Sequence, residues 1–169
     1  MLAVARTAAR RAVPNAARAS SVRTMSDAPD TGLLTLNFCL PSEEIYSKKA
    51  VTQIIVPGSE GEYGVTANHS PIVSELKPGV LTIFHSDSSE PEKFFVPGGF
   101  ALTHPNSVTD ITCPEAVKLD DIDSSIVSGA FESAKASFEK ADDGSIAKAE
   151  AQIDMEVNKA LGAALGITL

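Results

Sequence analysis

The fold is decided by residues 80–112, which read VLTIFHSDSSEPEKFFVPGGFALTHPNSVTDIT. Short runs of β-branched and aromatic residues alternate there with turns that contain proline and glycine, as at Pro97-Gly98-Gly99. Such runs are typical of strands, and their regular spacing favours an antiparallel sandwich or barrel. No helical pattern separates one run from the next, which argues against a parallel α/β sheet.

The strand pattern extends upstream to about residue 33. Leu34, Leu36 and Phe38 alternate with polar or small residues, which is the period of a half-buried strand. Residues 51–56, VTQIIV, form another β-branched run that ends at a Pro-Gly turn. Residues 33–118 are therefore predicted to form an antiparallel β-sandwich.

The period of the apolar residues changes after Leu119 to three or four, which predicts two helices. Asp120 and Asp121 suit the N-cap of the first helix, and Ser145, which follows a break at residues 142–144, suits that of the second. Residues 119–169 are thus predicted to form a helical hairpin, and the whole chain an α+β fold. The predicted apolar stripes consist of Ile122, Ile126, Val127, Ala130, Phe131, Ala134 and Phe138, and of Ile146, Ala149, Ile153, Val157, Ala160, Leu161, Ala164 and Leu165. Because many of these residues are alanine, the hairpin is expected to be weakly held, either on the sandwich or on a partner.

The first 24 residues have the composition of a mitochondrial transit peptide, with abundant alanine, several hydroxyl residues and no acidic residue. Their arginines are Arg6, Arg10, Arg11, Arg18 and Arg23. Residues 25–32 are interpreted as a linker. The alternative interpretation of the first segment is a basic tail without a targeting role.

The remainder of the chain is strongly acidic. The formal net charge of the whole chain is −8, and the basic residues of the first segment partly mask the acidity of the rest. An acidic surface is repelled by nucleic acid and by anionic lipid, so the expected partners are proteins with basic surfaces. No apolar run approaches the roughly 20 residues of a membrane-spanning helix, so membrane association is expected only through another protein. Cys39 and Cys113 are predicted to be buried free thiols.

Residues 58–71, GSEGEYGVTANHSP, are predicted to form a long loop of consecutive tight turns, because glycine and proline punctuate them. The loop would present Glu60, Glu62, Tyr63, Asn68 and His69. Long loops in compact domains usually have a use, although a plain connection between two strands is the alternative.

No constellation of catalytic residues or metal ligands is apparent. His69, His85 and His104 lack the spacing of a metal site and are interpreted as surface or hydrogen-bonded residues. The chain has no nucleophile elbow and no Gly-rich phosphate loop. The sequence therefore predicts a protein that is not an enzyme and has no cofactor.

Four motifs, in this order and with this spacing, resemble the small central-stalk subunit of rotary F-type ATP synthases, called epsilon in bacteria and delta in mitochondria. They are VPGSEGEYGV at 56–65, NHSPIV at 68–73, LKPG at 76–79 and FFVPGGF at 94–100. The resemblance covers about residues 33–165, and the basic N-terminal segment favours the mitochondrial type.

The resemblance implies a non-catalytic rotor subunit that links the gamma subunit to the membrane ring of c subunits. It implies that Glu60, Glu62, Tyr63 and His69 form a loop that faces this c-ring. Its expected partners are gamma, the c-ring and the small mitochondrial epsilon subunit, with no homo-oligomer. Its expected location is peripheral, on the matrix side of the inner mitochondrial membrane.

One departure from the family pattern concerns nucleotide binding. Some bacterial members bind ATP on the hairpin through an Ile/Leu-Asp-x-x-Arg-Ala motif, but here the run is Ile153-Asp154-Met155-Glu156-Val157. Val157 stands at the position of the arginine.

Two other interpretations compete with that of a rotor subunit. One is a free-standing regulatory module that binds nucleotide through the hairpin, and the other is an enzyme with an unrecognised site in the Gly-rich segment.

Overall fold

The computed structural model describes residues 32–88 and 90–169. The predicted transit peptide, residues 1–24, lies outside this part, as does the predicted linker, residues 25–32, except for its last residue. The strands are β1 (Leu34–Cys39), β2 (Glu44–Val51), β3 (Gln53–Gly58), β4 (Gly61–Thr66), β5 (Ile72–Leu76), β6 (Gly79–Phe84), β7 (Glu92–Val96), β8 (Gly99–Thr103), β9 (Val108–Thr112) and β10 (Val117–Lys118). A 3-10 turn (Leu119–Asp121), helix α1 (Ser124–Lys140) and helix α2 (Ile146–Ala164) follow.

The strands form two halves of five, in the orders β10-β7-β6-β3-β4 and β5-β8-β9-β1-β2. A single ladder position, Gly58 opposite Leu76, joins the two halves. Their facing sides enclose one apolar core to which β1, β3, β6 and β9 all contribute. The predicted β-sandwich and α+β class are therefore confirmed.

One pair of strands departs from the predicted antiparallel arrangement, because β1 and β9 run parallel. A parallel pair requires a long connection between its strands. Most of the sandwich, residues 40–107, provides that connection.

The prediction of a long loop at residues 58–71 is wrong. Gly58 and Gly61 pair across a two-residue turn, and the glycine-rich segment continues as strand β4. Val65, on β4, is fully buried in the core. Glycine is typical of turns, but here Gly61 adopts a φ of 138° at the start of the strand and Gly64 lies within the strand.

Strand β2 was not predicted, because its sequence EIYSKKAV is polar and only Val51 is buried. The predicted run 51–56 is interrupted at Thr52, where β2 ends and β3 begins. The alternation predicted for β1 is confirmed, because Leu34, Leu36 and Phe38 are fully buried.

Both cysteines are free thiols, as predicted, but only Cys113 is fully buried. Burial raises the pKa of the Cys113 thiol to about 11. Cys39 is half-buried, because it lies on the face of β1 that points away from the core.

The helical hairpin exists as predicted, but its first N-cap does not lie at Asp120 or Asp121. Both of these residues belong to the 3-10 turn, and the side chain of Asp123 accepts a hydrogen bond from the Ser125 N–H instead, at 2.9 Å. The predicted cap of α2 is confirmed, because the Ser145 hydroxyl accepts from the Lys148 N–H at 3.2 Å. Helix α2 packs on α1 and also contacts β6, so the hairpin rests on the sandwich.

The apolar stripes were only partly predicted. Ile126, Ile146 and Ile153 are 64%, 79% and 59% exposed. The residues that are buried in the helices are Val127, Ala134, Ala151 and Gly162. Three of these four are alanine or glycine, whereas the three isoleucines of the predicted stripes lie largely in solvent.

Candidate functional site

The tip of the β3–β4 hairpin is an exposed turn formed by Ser59 and Glu60, and two backbone hydrogen bonds brace the hairpin. The Ser59 N–H donates to the Glu75 carbonyl at 2.9 Å, and the Lys77 N–H donates to the Pro57 carbonyl at 3.0 Å. These bonds tie the hairpin to β5 and to the segment that joins β5 and β6. Glu60 is exposed at the end of this braced hairpin, so its carboxylate is held out to solvent on a stiff support.

Glu62 and Tyr63 lie on β4 and point to opposite sides. Glu62 is exposed, whereas Tyr63 packs against the core. The Tyr63 hydroxyl is buried without a hydrogen-bond partner in the described residues. Tyr63 therefore supports the hairpin from inside and is not a presented side chain, contrary to its predicted place on a loop.

His69 lies in the turn that follows β4, at the opposite end of the strand from Glu60. Six residues of strand separate the two turns by roughly 20 Å. The His69 Nδ1 atom is hydrogen-bonded to the Ser70 carbonyl at 2.8 Å. The four predicted site residues thus do not form one loop, and only Glu60 and Glu62 lie together as exposed carboxylates.

Behind the tip lies a groove of about 400 Å³ between the sandwich and α2. Ser59, Lys77 and Gly98 line its sandwich side, and Ile153 and Val157 line its helix side. Val157, at the position of the arginine in the bacterial motif, is uncharged, so it cannot form an ion pair with a phosphate group in this groove. The groove is the seam along which the hairpin rests on the sandwich.

Sequence reasoning missed a polar cluster centred on Glu92. The Tyr46 hydroxyl donates a hydrogen bond to its carboxylate, His85 Nε2 lies 3.2 Å from the same oxygen, and Lys118 Nζ lies 2.6 Å from the other. These residues come from β2, β7, β10 and the end of β6, which are remote in sequence, so no motif could reveal them. The cluster connects β2, at one end of the strand order, to β7 and β10 at the other.

Burial by itself would raise the pKa of Glu92. Hydrogen bonds from Lys118, Tyr46 and His85 outweigh that effect and lower the pKa from 4.5 to about 2. Burial and the neighbouring Glu92 carboxylate both raise the pKa of Tyr46. The cluster therefore stabilises the ionised Glu92 and the protonated Tyr46.

We expect Glu92→Gln to lower the free energy of unfolding at neutral pH, with a cost that shrinks in acid. The pKa of Glu92 is depressed in the folded chain, so its ionised form stabilises the fold above about pH 4.5 and loses this effect as the pH falls towards 2. Urea unfolding of the wild type and the variant at several pH values measures the difference. Glu115→Gln, at an exposed residue outside the observed ion pairs, is the control. A difference that is constant between pH 7 and 3 would contradict the assignment.

Besides His85, the histidines His104 and His69 also fit their predicted description as surface or hydrogen-bonded residues. His104 Nε2 lies 2.8 Å from Asp110 Oδ2, and His69 is bonded to its neighbour as described above. Within residues 32–88 and 90–169, no group of three or more His, Cys, Asp or Glu side chains is arranged to hold a metal ion. Neither α1 nor α2 has the length and apolar composition needed to cross a membrane.

Comparison with known proteins identifies the family. The family described as "ATP synthase, Delta/Epsilon chain, beta-sandwich domain" matches residues 33–118. Mitochondrial ATP synthase subunit delta of Eremothecium gossypii is 41% identical over 92% of this chain and 95% of its own length. The corresponding subunit of Kluyveromyces lactis is 41% identical over 85% of this chain and 87% of its own length.

Two solved ATP synthase structures contain chains that are similar to this one. A chain of the Euglena gracilis mitochondrial ATP synthase structure, which contains OSCP, F1 and the c-ring, has a TM-score of 0.76 and 30% identity. The match covers 84% of this chain and 87% of that one. A chain of the Tetrahymena thermophila central stalk and c-ring shares the fold alone, with a TM-score of 0.52 and 16% identity. This chain therefore belongs to the ATP synthase delta/epsilon family, and the two relatives named above are mitochondrial delta subunits.

Proposed function

We propose that this chain is a non-catalytic central-stalk subunit of the mitochondrial proton-transporting ATP synthase. The observation that carries the proposal is the 41% identity to a mitochondrial delta subunit over nearly the full length of both chains. The Euglena match belongs to an assembly that contains F1 and the c-ring. In this role the chain works through contacts with other subunits.

We further propose that it links the gamma subunit to the c-ring and so helps to couple proton flow to ATP synthesis. Glu60 and Glu62 would face the polar loops of the c-ring, because they are exposed carboxylates on a braced hairpin. Such charges complement basic or amidic loops, and a stiff support is needed to transmit torque. Tyr63 would contribute by stiffening the hairpin.

His69 is assigned to the same interface only if the contact extends along the whole of β4. The turn that holds His69 lies roughly 20 Å from Glu60, which is farther than one small loop contact spans.

Gamma and the mitochondrial epsilon subunit are the other proposed partners. The proposed location is the matrix side of the inner membrane, reached only through the c-ring. The exposed Ile126, Ile146 and Ile153 leave apolar surface on the hairpin for such partners.

The assembly is tested by affinity purification of the tagged chain from gently solubilised mitochondria. Mass spectrometry of the purified complex should find gamma, the c subunit and the mitochondrial epsilon subunit in fixed proportion. Recovery of the chain without gamma and the c subunit would refute the proposed function.

We expect Glu62→Lys to weaken coupling without unfolding the chain. Substitution at an exposed residue changes the free energy of unfolding by about 0.5 kcal/mol or less. Reversal of the charge opposes the proposed contact with the c-ring, so proton-driven ATP synthesis in mitochondrial membranes should fall severalfold while ATP hydrolysis continues.

The matched control is Glu44→Lys, which makes the same reversal at an exposed residue on β2, in the half of the sandwich that does not contain β4. Membranes that carry each assembled variant are compared for ATP synthesis per proton-motive force. Equal coupling in Glu62→Lys and wild type would show that Glu62 does not serve the ring contact.

A further inference from the structure

Strand β4 has one open edge. It pairs with β3 along its whole length and with no other strand in the described part of the chain. An edge of this kind presents unpaired backbone N–H and C=O groups to solvent.

The proline in β3 shows which backbone groups point outward. Pro57 lies opposite Glu62 and has no N–H, and its carbonyl accepts from the Lys77 N–H on the side away from β4. Antiparallel pairs alternate between bonded and non-bonded, so Glu62, Gly64 and Thr66 direct their N–H and C=O groups away from β3. The Thr66 carbonyl agrees with this assignment, because it accepts from the His69 N–H at 3.3 Å.

The backbone groups of Glu62 and Gly64 remain without a hydrogen-bond partner within residues 32–88 and 90–169. Both residues are exposed, so neither the helical hairpin nor another strand covers this edge. Gly64 also has no side chain to obstruct an approaching backbone.

Strand β5, another sheet edge, meets the β3–β4 hairpin at one end, through the Gly58–Leu76 pair and the Ser59–Glu75 hydrogen bond. The two remaining edges, β2 and β10, carry features that prevent pairing, and β4 does not. Strand β2 contains Lys48 and Lys49, a left-handed φ of 49° at Lys48 and two shifts of register. Strand β10 has only two residues. Irregularity, lysine and shortness are the common protections of an edge, whereas β4 is regular and has neither lysine nor proline.

We propose that the β4 edge pairs with an extended segment of another subunit, which adds a strand to the sheet. The segment carries a basic side chain beside Glu62, because Glu60 and Glu62 take part in none of the ion pairs of the described residues. Main-chain bonds to Glu62 and Gly64 supply the affinity, and the carboxylates select the charge of the partner. The inference rests on the proposed function, since the partner is a chain of the same assembly.

The first test measures hydrogen exchange at single amides in the free mature chain and in the purified ATP synthase, by fragmentation mass spectrometry. In the free chain, Tyr63 and Val65 should be protected by β3, while Glu62 and Gly64 exchange at nearly the rate of an open peptide. In the assembly, exchange at Glu62 and Gly64 should slow at least a hundredfold.

The possible results of this experiment distinguish a failure of the strand pairing from a failure of the proposed function. If the chain co-purifies with gamma and the c subunit but Glu62 and Gly64 still exchange freely, the strand pairing is overturned and the proposed function stands. If the chain is absent from the enzyme, both are overturned. If the free chain forms dimers in which these two amides are protected, the partner is a second copy and the proposal is again overturned.

The second test compares Gly64→Pro with Gly64→Ala. Proline at 64 removes only an outward N–H and leaves the β3–β4 ladder intact, so incorporation into the enzyme should fall at least tenfold. An alanine Cβ would lie 2.9 Å from Gln53 Nε2, the end of a flexible side chain that can move away, so this control should assemble normally. Circular dichroism and thermal unfolding of the free variants establish that they fold. Equal incorporation of the two folded variants would overturn the proposal, and the exchange experiment decides it if the proline variant does not fold.

Discussion

Gly99→Ala is expected to destabilise the sandwich more than any other single methyl group added to it. A Cβ at Gly99 would lie 2.3 Å from the Thr112 carbonyl oxygen and 3.0 Å from the Cys113 Cα. Both are backbone atoms of the neighbouring chain segment, which cannot yield without disturbing the β8–β9 ladder. The φ of 141° adds strain for any residue with a side chain.

The expected loss in the free energy of unfolding is about 3 kcal/mol or more, from a total that is about 5–15 kcal/mol in most domains. Urea unfolding of the mature chain measures it. The control is Gly129→Ala in α1, where no atom outside the neighbouring residues and the helix's own nearby backbone lies within 4 Å of the added Cβ. This change should stabilise the helix by about 0.5–1 kcal/mol. A loss at Gly99 of under about 1 kcal/mol would show that the ladder can shift.

The second large effect concerns hydrogen exchange along the free mature chain. Amides of α1 and α2 are expected to exchange at least about a hundredfold faster than those of β1, β3 and β6. Each helix buries only two residues, and three of the four are alanine or glycine. The central strands enclose a core of fully buried Leu, Ile, Val and Phe side chains.

The same exchange measurement on the complete enzyme provides the comparison with the free chain. Gamma and the mitochondrial epsilon subunit should cover the exposed Ile126 and Ile146, so exchange in both helices should slow in the complete enzyme while the central strands change little. Equal protection of helices and strands in the free chain would show that the hairpin is stable by itself.

Some elements could be predicted because a local pattern determines them. The alternation of β1 gives its inward face directly, since a half-buried strand has a period of two. Ser145 follows a clear break and precedes an apolar period, and its hydroxyl does cap α2. The exposed carboxylates Glu60 and Glu62 were also found, because a polar pair between glycines is visible in the sequence.

Other elements depend on contacts that no local pattern records. Gly61 and Gly64 have the composition of a loop, yet pairing with β3 makes their segment a strand. β2 is too polar for its strand to be recognised, and its place is set by β1. The cluster around Glu92 forms only when the two ends of the strand order meet, so its residues have no common signal in the sequence.

The short β10 strand has a mechanical consequence. Force applied to the helical hairpin reaches the sandwich along the chain through two residues, Val117 and Lys118, which are held by their ladder with β7 and by the Lys118–Glu92 ion pair. The contact of α2 with β6 acts in parallel with this attachment. Because this attachment is so short, and each helix buries few residues, we expect a pull on the hairpin to detach it as a unit before the sandwich unfolds. High salt weakens the ion pair and lowers the load at which the two parts separate.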